Sequence, residues 1–82
     1  MITDKLNKSE IKVLQILQEN NITNETLAIK ISNLAELTGL SYYSCRNIIK
    51  SFYVAEICCK GRRDGNSETY YLSDLGQKNI PQ

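Results

Sequence analysis

Apolar residues recur along this chain with two different periods, and the changes of period divide it into elements. In "LNKSEIKVLQILQENN", Ile11, Leu14 and Leu17 fall on one side of a 3.6-residue repeat with Val13 and Ile16 beside them, which predicts a first helix. Its start is written in side-chain chemistry. Asn7 as N-cap puts Glu10 at the third helical position of a capping box and sets Leu6 to staple onto Ile11. Asn20-Asn21 end it. In "ITNETLAIKIS", the segment "NETLA" reads as a turn or a helical fragment, and Ile29 and Ile31 flank Lys30 in the alternation of a short strand. A second helix follows, capped by Ser32 or by Asn33, the latter at capping-box spacing from Glu36, with Leu34 and Leu37 pointing inward. Gly39 stands where the chain must leave that helix through a left-handed residue, a conformation glycine enters without a steric penalty.

A third helix restarts at once on Ser41 as N-cap. Cys45, Ile48, Ile49 and Phe52 recur at i, i+3, i+4 and i+7 and make one buried stripe. Tyr43, Arg46, Asn47 and Lys50 then lie on the opposite face, with Tyr42 and Ser44 flanking its N-terminal end. After Phe52 the pattern changes. "YVAEICCK" is rich in β-formers, "GRRDGNSE" is a turn-rich basic loop, and "TYYLS" is a second strand, so the region reads as a β-hairpin with a long basic tip. Ser73 caps a last short helical turn in "DLGQKNI", with Pro81 beyond it.

Composition narrows the classes of function. An 82-residue chain with 41% hydrophobic residues is read as one folding domain, residues 1–82, that buries about 60–65% of its unfolded surface and gains from self-association. No apolar run reaches the length of a membrane span and the N-terminus lacks a signal-peptide core, so a cytoplasmic protein without a membrane partner is expected. The three cysteines do not make a disulfide framework. Cys58 and Cys59 point to opposite faces of a strand, one into the core and one partly exposed, and Cys45 belongs to the buried stripe. With no histidine, no nucleophile–base pair and no metal-ligand set, neither an enzyme nor a cofactor is expected, and Glu10 and Glu36 read as caps. The net charge is only +1, but residues 41–63 carry +4 while the segments on either side are acidic.

Helix, short strand, helix, tight turn, helix and basic hairpin, in that order, resemble a winged helix-turn-helix domain: mainly α with a small β part, a three-helix core and a C-terminal hairpin wing. The helix-turn-helix would span residues 33–52, with Ala35, Gly39 and Cys45 at signature spacing, and the wing residues 54–72. "GRRDGNSETYYLSDLGQKNI" is similar to the wing of bacterial MarR-type regulators, where a basic Asp-containing loop precedes a strand, a Leu-Ser/Thr pair and a glycine, here Leu72, Ser73 and Gly76. The likeness covers roughly residues 7 to 80, without counterparts of that family's long dimerisation helices.

The resemblance implies sequence-specific binding of double-stranded DNA by a small bacterial, plasmid or phage regulator. The abundance of Ile, Asn and Lys fits an AT-rich genome. Arg46 and Lys50 would meet guanine edges or phosphates and Asn47 adenine, with Tyr43 on the same face. Ser41, Tyr42 and Ser44 at the helix N-terminus would bind phosphates, and Lys60, Arg62, Arg63 and Asn66 would follow the backbone or minor groove. Arg62-Arg63 stand out, because a loop tip has no structural need for adjacent positive charges. A homodimer is expected, joined through helix 1, the N-terminal arm and the turn after Ser73. Two other readings remain open: a plasmid or phage replication or centromere-binding partition protein of the same fold, and a module docking an unidentified protein without DNA.

Overall fold

The first helix is set by the chemistry of its cap. In the computed structural model, which describes residues 6–78, α1 spans Lys8–Glu19. The Asn7 side chain accepts from the Glu10 N–H at 2.8 Å and the Glu10 carboxylate accepts from the Asn7 N–H at 3.0 Å, so two helix-end donors are satisfied reciprocally. Leu6 packs against the core from outside the cap. At the other end Asn21 is left-handed (φ 55°) and the Ile22 N–H returns to the Leu17 carbonyl at 2.9 Å, which folds Ile22 into the core. "NETLA" is a turn, closed by the Leu27 N–H on the Asn24 side chain.

The strand β1, Ile29–Lys30, runs straight into α2, Ile31–Thr38. Neither Ser32 nor Asn33 caps this helix, and Glu36 takes no part in a cap. The extended backbone of Lys30, held by pairing with β3, is itself the N-cap, with no side-chain bond. Leu34 is buried as expected, but Leu37 is 46% exposed and Thr38 takes the inward position, one turn on from Leu34. A polar side chain is tolerated there because its hydroxyl donates to the Leu34 carbonyl at 2.9 Å. Gly39 closes α2 at φ 75° and Ser41 opens α3, Tyr42–Val54, two residues later.

The helix α3 runs on through Tyr53 and Val54, which the pattern had given to the wing. It stops when Glu56 enters the left-handed region (φ 64°) and the Ile57 N–H returns to the Phe52 carbonyl at 2.8 Å. The wing strands are therefore shorter than residues 54–72 imply: β2 is Cys58–Lys60 and β3 is Thr69–Leu72. All three strands form an antiparallel sheet in the order β1-β3-β2, with Cys58 opposite Leu72 and Ile29 opposite Tyr70. The core gathers Val13, Leu14 and Leu17 from α1, Leu34 from α2, Cys45, Ile49 and Phe52 from α3, and Ile57, Cys58 and Leu72 from the sheet side; Ile48 is only partly buried. Cys58 is buried and Cys59 half-buried, as alternation on a strand requires.

The Ser73 hydroxyl caps α4, Asp74–Lys78, accepting from the Gly76 N–H at 3.0 Å while donating to the carbonyl of Glu56 or Ile57. One side chain thus ties the last helix to the end of α3. Residues 1–5, the N-terminal arm to which dimer contacts were assigned, and residues 79–82, including Pro81, lie outside the described residues. Among the described residues, no helix is long and apolar enough to cross a membrane.

Candidate nucleic-acid interface

The exposed side of α3 is divided between two flanks by helical geometry. Tyr42, Arg46 and Lys50, at successive i, i+4 positions, form a stripe about 12 Å long facing the wing, while Tyr43 and Asn47 lie on the outer flank; all five are exposed. The Tyr42 and Tyr43 rings meet edge to face at 5.8 Å. At the helix start the Ser41 hydroxyl is already committed, accepting from the Ser44 N–H at 3.1 Å and bonding the Ser44 hydroxyl at 3.0 Å. The N–H groups of the first helical residues remain unpaired within the helix by its geometry.

The stripe forms one wall of a groove of about 330 Å³. Lys30, Ile31 and Ser32 close one end, and Asn66, Ser67, Glu68 and Tyr70 of the wing form the facing wall. The wing tip is a two-residue turn, Gly65-Asn66, with Asp64 and Ser67 exchanging both backbone hydrogen bonds. That turn projects Asn66 toward the helix stripe. Tyr70 sits at the floor, where burial, the hydrogen bond to Glu68 and the charge of Glu68 raise its phenol above the ordinary value, while the Arg46 guanidinium works the other way.

The cations divide into two classes. Arg46 and Lys50 have no carboxylate partner among the described residues. Every cation of the wing has one: Lys60 with Glu68 at 3.2 Å, Arg63 with Glu68 at 3.8 Å and Arg62 with Glu25 at 3.8 Å, and Lys30 at the groove end pairs with Asp64 at 3.4 Å. Arg62 and Arg63 do not line the helix–wing groove. They border a second hollow, with Glu25, Leu27, Leu37 and Asp64. Both arginines therefore have a carboxylate partner in the fold: Glu25, distant in the chain, for Arg62, and Glu68, on the facing arm of the hairpin, for Arg63. Lys60 lies at the wing base, its ammonium 5.2 Å from the Tyr53 ring centre. The structure thus joins Tyr42, Arg46, Lys50 and Asn66 in one groove and leaves Ser41, Tyr43, Ser44, Asn47, Lys60, Arg62 and Arg63 outside its lining. Lys30 and Ser32, read in the sequence only as strand and cap positions, reach it through the β1–β3 pairing, and Glu68 and Tyr70, not singled out in the sequence, reach it through the wing hairpin. No group of three or more His, Cys, Asp or Glu residues suited to a metal occurs among the described residues.

No family model matches the chain. The DNA-binding protein TubR of the Clostridium botulinum C phage is 32% identical over 71 residues, covering 87% of this chain and 88% of that protein. The solution structure of the DNA-binding TubR fragment from Clostridium botulinum, 31% identical, superposes with a TM-score of 0.77 over 92% of this chain and 93% of the fragment. MepR, a transcription regulator of the Staphylococcus aureus multidrug efflux pump MepA, is only 9% identical yet reaches a TM-score of 0.79 over 95% of this chain and 55% of its own. The MarR-type resemblance thus holds for the fold, over about half of the longer regulator. With identity above 30% across nearly the full length of both chains, this winged helix-turn-helix protein belongs to the TubR family.

Proposed function

We propose that the protein binds double-stranded DNA sequence-specifically, as a homodimer, with α3 in the major groove and the wing on the backbone. The observation that carries this reading is the pair Arg46 and Lys50, exposed, without a carboxylate partner among the described residues, and facing the wing tip across an open groove. Unpaired cations in such a groove focus positive potential where a phosphate backbone can follow it. Arg46 and Lys50 are assigned to guanine edges or flanking phosphates and Asn47 to adenine, with Tyr43 beside it. Tyr42, Ser44 and the N–H groups at the start of α3 are assigned to phosphates, with Ser41 acting mainly through its cap. Asn66 and Lys60 are assigned to the wing contact, and Arg62 and Arg63 to backbone outside the groove.

The TubR relative from a phage supports a role on a mobile element, either in transcriptional control or in replication or partition of that element. Footprinting on the DNA flanking the protein's own gene tests both parts of the reading. The expected result is protection of paired half-sites about one helical turn apart, with sedimentation of the free protein at tens of micromolar giving a dimer. Protection of a single unrepeated site by a monomer contradicts the dimer, and no protection at low salt contradicts DNA binding and favours a docking role. A site within a promoter indicates regulation, and an array away from one indicates partition.

A further inference from the structure

Among the described residues, Glu68 is the one acidic side chain lining the groove between α3 and the wing. Its carboxylate gathers two hydrogen-bond donors and a further cation at ion-pair distance. Lys60 Nζ stands 3.2 Å from Oε2 and 3.4 Å from Oε1, Arg63 Nη2 stands 3.8 Å from Oε1, and the Tyr70 hydroxyl donates to Oε2 at 3.0 Å. The side chain keeps 38% of its exposure, and those donors, the Tyr70 bond foremost, hold the carboxyl below its ordinary value, so it is an anion at neutral pH. Exposed ion pairs of this kind add little to folding stability. Nothing in the core needs a charge at this position either. What the arrangement does accomplish is to fill, from within the wing, the place beside Lys60 and Arg63 that a phosphate oxygen would take.

We infer that Glu68 is a selectivity-determining residue: an internal counter-anion that withholds Lys60 and Arg63 from the phosphates of arbitrary DNA. The inference rests on the DNA-binding reading above. Binding to arbitrary sequence is driven almost wholly by release of counterions from phosphates that protein cations neutralise. A cation already neutralised by a carboxylate releases fewer, and the carboxylate repels the incoming phosphate. On a matching site, contacts from α3 hold the backbone against the wing, and exchange of Glu68 for phosphate becomes favourable there. Affinity for wrong sequences is lowered more than affinity for the right one.

The test compares the parent with Glu68→Gln, Glu68→Ala and the double variant Glu68→Gln/Lys60→Gln. Fluorescence anisotropy across a series of KCl concentrations is read on a random-sequence duplex and on the footprinted duplex. Glutamine keeps an acceptor for Tyr70 and removes the charge. The expected result at roughly 0.1 M salt is random-duplex binding about three- to tenfold tighter in both single variants, with a slope of log K against log salt steeper by about 0.9 for each cation released. The ratio of specific to random affinity falls, and the double variant returns toward the parent slope. Unchanged or weaker binding to the random duplex overturns the inference, as does an equal gain on both duplexes. If the parent binds no duplex at low salt, the DNA reading itself fails. Elution from immobilised heparin then decides: later elution of Glu68→Gln supports the withheld cations, and unchanged elution overturns them.

Discussion

Thr38 shows how one side chain fixes the geometry of the turn on which the groove depends. Buried between α2 and α3, its hydroxyl donates to the Leu34 carbonyl at 2.9 Å, accepts from the Leu40 N–H at 3.2 Å and touches Cys45 Sγ at 3.5 Å. It therefore stabilises both sides of the Gly39 turn. Thr38→Val keeps the shape and removes the partner of the Leu40 N–H, so it is expected to lower stability by about 1–3 kcal/mol, measured by urea unfolding; a loss below a few tenths contradicts the role. Cys58 illustrates the opposite case, a group that burial silences. Desolvation, with the neighbouring Cys59 adding to it, pushes its thiol up to about 12, so it stays protonated and packs as a small apolar residue.

At the scale of elements, the ends of helices are where local chemistry and tertiary context part company. Asn7–Glu10, Gly39, Ser41 and Ser73 each satisfy a cap with neighbours in sequence, and each was legible from the chain alone. Glu56 was not, because a glutamate rarely enters the left-handed region; the return of Ile57 into the core and the hydroxyl of Ser73 hold it there (φ 64°). Glu56→Gly is expected to raise stability by about 0.5–1 kcal/mol, seen as a thermal midpoint several degrees higher; a lower midpoint contradicts the assignment of strain to that residue. The start of α2 was misplaced for a related reason: Lys30 caps it through pairing with Thr69, a long-range contact with no local signal. The same contact brings Lys30 and Ser32 to the groove. The helical stripe of Tyr42, Arg46 and Lys50 was readable because it depends only on the 3.6-residue period. The partners of Arg62 and Arg63 were not, because Glu25 and Glu68 reach them through the fold.

At the scale of the whole molecule, a net charge of only +1 is compatible with DNA binding because the charge is unevenly neutralised. Carboxylates pair with the wing's cations within the fold and leave those of α3 without such partners among the described residues; on the proposed reading, the helix stripe carries the electrostatic pull and the wing adds to it only on close approach. The most direct measurement is the salt dependence of binding to the footprinted duplex for the parent and for Arg46→Ala/Lys50→Ala, with circular dichroism confirming that both are folded. The expected result is a slope shallower by up to about 1.8 and a loss of preference for the footprinted site over random DNA. An unchanged slope with unchanged preference would show that the stripe on α3 does not meet the DNA.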